Sequence, residues 1–171
     1  LACSSYLSGA GLPIYWNAMP QSGVQLKLDR GGGVTVFCGS TEIGQGSDSI
    51  LASIVAEVLG IDPFDIRIVT GDTDLTPVDL GSYSSRVTFI VGNAAIDAAN
   101  KLKGLLVAAA ARKLDAEPSD IECLGELYRA GAEYKGLRYN EVVTEALKDS
   151  GTITVTRNYS TIPESHGGKK Y

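Results

Sequence analysis

The sequence has no excess of basic residues and no long apolar run. Its 15 lysines and arginines stand against 20 aspartates and glutamates, which gives a formal net charge of −5. A phosphate backbone would find no complementary charge, so nucleic acid is not expected as a partner. The longest apolar run, residues 105–111, is much shorter than the roughly 20 residues that span a bilayer, so no membrane span is expected.

Cysteine and histidine are also scarce. The three cysteines, Cys3, Cys38 and Cys123, lie too far apart for the paired ligands of a zinc or iron–sulfur site. An odd number without a disulfide framework favours the reducing cytoplasm. The only histidine, His166, lies in a polar stretch and is expected at the surface. The sequence starts at Leu1 without a methionine or a charged leader, so we expect a segment of a longer protein.

What is present suits one globular domain, since 44% of the 171 residues are hydrophobic. Alternating apolar residues at 24–28 and 34–37 flank a Gly-rich turn and predict a β-hairpin. Apolar spacing from Ile50 to Leu59 predicts a helix that Gly60 ends and that Ser47 or Asp48 caps.

The second half of the sequence predicts further helices and strands. A strand is expected at residues 66–69, and a long helix rich in alanine from about Thr88 to Leu114, with Gly92 and Gly104 packed closely against a neighbouring backbone. Strands at 121–124, 126–129 and 153–157 and a helix at 139–148, with Asn140 as its cap, complete the pattern. This alternation predicts an α+β two-layer sandwich, a mixed sheet with helices packed on one face.

Two loops are rich in glycine, serine and threonine, and each precedes a predicted helix. We call residues 39–47 the glutamine loop and residues 79–86 the serine loop. Free N–H groups at a helix N-terminus can bind anionic oxygens. Gln45 can bring an amide close to a ligand, and Arg86 offers a fork suited to phosphate. On the loops alone, ordinary capped turns remain the alternative, and neither loop has a Walker or Gly-x-Gly-x-x-Gly motif.

Several blocks of the sequence together resemble the large subunit of the molybdenum hydroxylases, the xanthine oxidase family. In order, the blocks are GSTEIGQG (39–46), IDP (61–63), IVTGDTD (68–74), TP (76–77) and GSYSSR (81–86). Within that family the likeness is greatest to the large (alpha) subunit of 4-hydroxybenzoyl-CoA reductase. This finer likeness rests on residues 81–89, 91–94 and 149–155.

The resemblance implies that the chain binds molybdenum as molybdopterin cytosine dinucleotide, as part of the second molybdopterin-binding domain of a large subunit. Gln45 would lie close to the molybdenum. The cofactor contacts implied are Gly44, Gln45, Gly46, Ser47, Ser82, Tyr83, Ser84, Ser85, Arg86, Val87 and Thr88. The family's catalytic glutamate has no counterpart in these residues, so the segment alone is expected to be inactive.

The resemblance also implies partners and an activity. The partners are the remainder of the large subunit, iron–sulfur and FAD subunits in a hetero-oligomer, and a small-molecule substrate. The leading hypothesis is reductive dehydroxylation of an aromatic acyl-CoA such as 4-hydroxybenzoyl-CoA. The alternatives are a hydroxylase of aldehydes, purines or other N-heterocycles, and a binding or assembly module that shares the fold without being an enzyme.

Overall fold

The computed structural model describes residues 1–4, 8, 21–131 and 136–160, so His166 lies outside the described residues. The predicted hairpin, helices and strands are confirmed, with bounds that shift by up to four residues. In chain order the elements are β1 (Ser22–Leu28), β2 (Val34–Cys38), α1 (Ser47–Leu59), β3 (Ile66–Thr70), α2 (Gly92–Leu114), β4 (Ile121–Leu124), β5 (Leu127–Ala130), β6 (Gly136–Arg138), α3 (Tyr139–Ser150) and β7 (Ile153–Tyr159).

The larger sheet has four strands in the order β3-β2-β1-β7. β1 runs antiparallel to both β2 and β7, whereas β2 and β3 are parallel. Leu26 pairs with Val36 on one side and Val155 on the other, and all three are buried. Residues of this alternating set share one face, and α2 packs against β1 and β7. The mixed sheet with helices against it is therefore confirmed.

A second sheet was not predicted. It has three antiparallel strands in the order β4-β5-β6, and α2 and α3 both contact it. Gly125, with a φ of 58°, forms the tight turn between β4 and β5. The sequence predicts β4 and β5 as strands but contains no local signal for which sheet they join.

The long helix is confirmed, but the reason given for its glycines is wrong. One π-helical turn, Val87–Val91, leads directly into α2. A Cβ atom at Gly92 would lie 3.2 Å from Cδ1 of Ile54, which is a side chain of α1, and one at Gly104 would meet nothing within 4 Å. Within the described ranges of the chain, no neighbouring backbone therefore requires either glycine. In the described part of the chain, neither α2 nor another helix combines the length and apolarity needed to cross a membrane.

Both predicted helix caps are wrong. The N-cap of α1 is Gly46, in a left-handed conformation, and it makes no side-chain capping bond. At α3 the N-cap is Arg138, whose N–H donates to the Glu141 carboxylate at 2.8 Å, so Asn140 lies inside the helix. Gly60 does end α1 as predicted, with a φ of 76° and an N–H bond to the Ala56 carbonyl.

Candidate functional site

The glutamine loop and the serine loop meet at one edge of the larger sheet. β2 and β3 are parallel neighbours, so the chain leaves both strands at the same edge, where α/β folds commonly bind ligands. The Thr41 N–H donates to Ser82 Oγ at 3.0 Å, and Ser82 Oγ donates to the Thr41 carbonyl at 2.6 Å. These two bonds join the loops into one continuous surface.

Gly39 permits this close approach. A Cβ atom there would lie 2.4 Å from the Pro77 carbonyl oxygen and 2.8 Å from the Asp79 Cβ. Real Cβ atoms essentially never come so close. Any other residue at position 39 would push the two loops apart.

Glu42 organises the glutamine loop, a role that was not predicted from the sequence. Its Oε1 accepts the N–H groups of Gly44 at 2.7 Å and Gly46 at 3.0 Å. Its Oε2 accepts the Asp48 N–H at 3.2 Å and the Ser47 hydroxyl at 3.3 Å. These donors, Gly46 and Asp48 foremost, lower the pKa of Glu42. The sequence feature that could have indicated this role is an acidic residue shortly before the glycines that precede a predicted helix.

The Gln45 amide folds back on its own loop. Its Oε1 accepts the Ile43 N–H at 2.6 Å, while its Nε2 donates to the Thr41 carbonyl at 3.1 Å and to Ser47 Oγ at 3.0 Å. Gln45 is exposed and Ser47 is buried. The amide is therefore held in one orientation on the open side of the loop.

A second carboxylate lies at the start of α1. Burial, followed by the nearby charge of Glu42, raises the pKa of Asp48. Its Oδ1 is buried and has no hydrogen-bond partner among the described residues. Two carboxylates thus lie where the helix dipole favours negative charge.

A buried ion pair holds the serine loop from inside. Arg86 Nη1 lies 2.7 Å from Asp79 Oδ1, and both side chains are 0% exposed. Arg86 also donates to the Gly81 carbonyl at 3.0 Å and to the Ser22 hydroxyl, which in turn donates to Asp79. The fork expected to meet phosphate therefore faces the protein interior. Val87 is buried in the core as well, so both residues can reach a cofactor only through their main chain.

The remaining residues of the serine loop are accessible. Ser82, Tyr83 and Ser84 are half-buried, while Ser85 and Thr88 are exposed. Ser84 and Ser85 have φ angles of 52° and 49°, a left-handed conformation that costs an L-residue roughly 1–2 kcal/mol. Two such residues in succession persist only where their surroundings fix them, and Arg86 closes the loop around them through its bonds to Asp79 and Gly81.

Three glycines leave backbone open to a ligand. Gly44, Gly46 and Gly81 have φ angles of 96°, 78° and 107°, and a Cβ atom at any of them would meet no described residue within 4 Å. The conformation requires glycine, and the absence of a side chain lets a ligand approach the main chain. Together with the hydroxyl groups of the serine loop, this open backbone suits contact with a polar cofactor.

Comparison with known proteins identifies the family. The molybdopterin cofactor-binding domain family matches residues 1–171, and the chain belongs to this family. It is 38% identical to the xanthine dehydrogenase molybdenum-binding subunit of Escherichia coli O157:H7 over 112 residues, 65% of this chain and 14% of that protein. It is 43% identical to the 6-hydroxypseudooxynicotine dehydrogenase complex subunit gamma of Paenarthrobacter nicotinovorans over 97 residues, 57% of this chain and 12% of that subunit.

A solved structure agrees. The reconstituted CO dehydrogenase from Oligotropha carboxidovorans superposes with a TM-score of 0.81 at 29% identity, covering 91% of this chain and 20% of that one. The resemblance to the large subunits of the xanthine oxidase family is thereby confirmed. The chain spans only 12% to 14% of the length of the two curated relatives.

Proposed function

We propose that the protein containing this chain is a molybdenum-dependent oxidoreductase and that this chain forms one wall of its cofactor site. The observation that carries the proposal is the junction of the two loops through Thr41 and Ser82, beside glycines with open backbone. The dehydrogenase names of the relatives support a redox role. We also propose that residues 1–171 form a single domain, which is part of the second molybdopterin-binding domain of a longer large subunit.

The proposed contacts follow from accessibility. Gln45, with the main chain of Gly44, Gly46 and Ser47, faces the molybdenum and pterin. The hydroxyls of the serine loop, together with Tyr83 and Thr88, face the diphosphate of molybdopterin cytosine dinucleotide. Arg86 and Val87 contribute main-chain groups and hold the loop in shape. The bound molybdenum supplies the redox chemistry, while these residues bind and orient the cofactor.

The substrate proposal has two candidates. Residues 81–89 favour reductive dehydroxylation of an aromatic acyl-CoA such as 4-hydroxybenzoyl-CoA. The alternative is oxidation of aldehydes, purines or other N-heterocycles, and the names of the relatives, xanthine dehydrogenase and 6-hydroxypseudooxynicotine dehydrogenase, favour purines or other N-heterocycles. Assaying the intact complex with 4-hydroxybenzoyl-CoA and a low-potential electron donor, and separately with purines and aldehydes, distinguishes them. Turnover of purines or aldehydes without turnover of the acyl-CoA would refute the reductase.

Metal and nucleotide analysis of the intact protein tests the cofactor. We expect molybdenum and, after acid release, a cytidine nucleotide in amounts equal to the chain. Absence of both from the active complex would refute the proposal and favour a binding or assembly module.

The proposed partners are the remainder of a large subunit and iron–sulfur and FAD subunits. A cytoplasmic location is supported by Cys3, Cys38 and Cys123, which are all free thiols. Purification of the intact protein under native conditions should recover iron and flavin with it. A complex containing neither would contradict this assignment.

A further inference from the structure

Glu42 gathers donors from most of the glutamine loop. Its two carboxylate oxygens accept hydrogen bonds from Gly44, Gly46, Ser47 and Asp48. One side chain thus connects the turn to the first residues of α1. A carboxylate that receives several N–H bonds is a strong local anchor.

Among the described residues, packing provides no substitute for this anchor. Gly44 and Gly46 have left-handed conformations, and no described residue lies within 4 Å of where a Cβ atom on either would be. Gly46, the N-cap of α1, has no side chain that could cap the helix. The conformation of this segment therefore depends on hydrogen bonds, and Glu42 accepts those of both glycines.

Ser47 links Glu42 to Gln45. Its hydroxyl donates to Glu42 Oε2 at 3.3 Å and lies 3.0 Å from Gln45 Nε2, which donates to it. The Ser47 hydroxyl hydrogen is thus directed to Glu42, which leaves its oxygen lone pairs for the Gln45 amide. A change at Glu42 consequently alters the partner that orients Gln45.

We infer that Glu42 is a positioning residue: it fixes the backbone of Gly44 and Gly46 and, through Ser47, sets the orientation of the Gln45 amide toward the cofactor. The part that concerns the cofactor rests on the proposed function, whereas the part that concerns the loop does not. The lowered pKa of Glu42 agrees with the inference, because it reflects stabilisation of the carboxylate by the loop's hydrogen-bond donors.

The test compares Glu42→Gln with Glu57→Gln in the intact protein. Glu57 is exposed on α1, so the control makes the same charge change on a neighbouring surface. A second variant, Ser47→Ala, removes the link to Gln45 but retains the hydrogen bonds that Glu42 accepts from the N–H groups of Gly44, Gly46 and Asp48.

Hydrogen exchange of residues 42–50 in cofactor-free protein is the first measurement. Glu42→Gln should speed exchange there by about tenfold and leave residues 94–106 of α2 unchanged, while Glu57→Gln changes neither. Ser47→Ala should leave the Gly44 and Gly46 amides protected. Unchanged exchange in Glu42→Gln, or an equal increase in α2, would overturn the inference.

Cofactor retention and kinetics are the second measurement. Glu42→Gln and Ser47→Ala should both lose molybdenum faster than wild type on dialysis, and their remaining loaded enzyme should show a lower kcat. Wild-type retention together with unchanged kcat and KM would overturn the cofactor part. A wild-type protein without molybdenum would refute the proposed function. The hydrogen-exchange result would still test whether Glu42 fixes the backbone of Gly44 and Gly46.

Discussion

Asp79→Ala would leave the Arg86 guanidinium inside the serine loop without its carboxylate partner. The two groups lie 2.7 Å apart, and both side chains are 0% exposed. Asp79 also accepts the Gly81 N–H at 2.8 Å and the Ser22 hydroxyl. The substitution therefore removes the group that connects the loop to the start of β1.

The burial of this pair sets the expected magnitude. Removing one member of a buried ion pair costs about 3–5 kcal/mol, because the remaining charge stays buried. The matched control is Asp149→Ala. Asp149 pairs with Arg112 at the same 2.7 Å, but these side chains are 65% and 51% exposed, and exposed pairs contribute about 0–1 kcal/mol. The two ion pairs have the same distance but differ in burial, and Asp79→Ala also removes the bonds from Gly81 and Ser22.

Denaturant-dependent hydrogen exchange of β1 and β2 in the intact protein measures the local free energy of unfolding. Asp79→Ala should lower it by several kcal/mol more than Asp149→Ala does. The double variant Asp79→Ala/Arg86→Met should recover part of the loss, because no charge is then left buried. Equal losses of unfolding free energy in the two single variants would refute this reasoning. So would a loss in the double variant that equals the sum of the losses for Asp79→Ala and Arg86→Met.

Four further predictions concern single positions. Gly104→Ala should raise the unfolding free energy of α2 by about 0.5–1 kcal/mol, because alanine favours the helix and the added methyl has open space. Tyr139→Phe should cost about 1–3 kcal/mol, because the buried hydroxyl donates to the Gly32 carbonyl at 2.9 Å. Gly39→Ala should lower cofactor content, since the methyl would collide with the chain entering the serine loop. Protection of the glutamine loop should persist below the usual pKa of a glutamate and disappear only as pH falls through the lowered pKa of Glu42.

Each of these has a direct check. Hydrogen exchange measures the two stability changes, and a destabilising Gly104→Ala or a neutral Tyr139→Phe would contradict the packing described. Molybdenum analysis checks Gly39→Ala, where wild-type content would show that the loops need no close approach. The pH dependence of hydrogen exchange in residues 42–50, corrected for the intrinsic exchange rate, tests the prediction for the Glu42 carboxylate. Loss of protection at or above the usual pKa of a glutamate would contradict a lowered pKa of Glu42.

Local patterns predicted the elements because each pattern is complete within a few residues. The alternation in β1 and β2, the helical spacing of α1 and the glycine after Leu59 all act within one turn or one strand pair. The family motifs likewise identified both loops. The open glycines at 44, 46 and 81 agree with that interpretation.

Other features depend on residues distant in sequence. The burial of Arg86 requires Asp79 and Ser22, which lies 64 residues away. The second sheet depends on how β4 and β5 pack against α2. The bonds that Glu42 accepts from Gly44 and Gly46 depend on the left-handed conformations of these two glycines, which turn the chain back toward it. None of these contacts has a periodic signature in the sequence.

The central claim is that the glutamine loop and the serine loop form one cofactor-binding surface. Hydrogen exchange of residues 39–47 and 79–88 in the intact protein, before and after removal of the molybdenum cofactor, tests it most directly. We predict that both segments lose protection together, while β4 and β5 do not change. Loss in only one segment, or in neither, would contradict the claim.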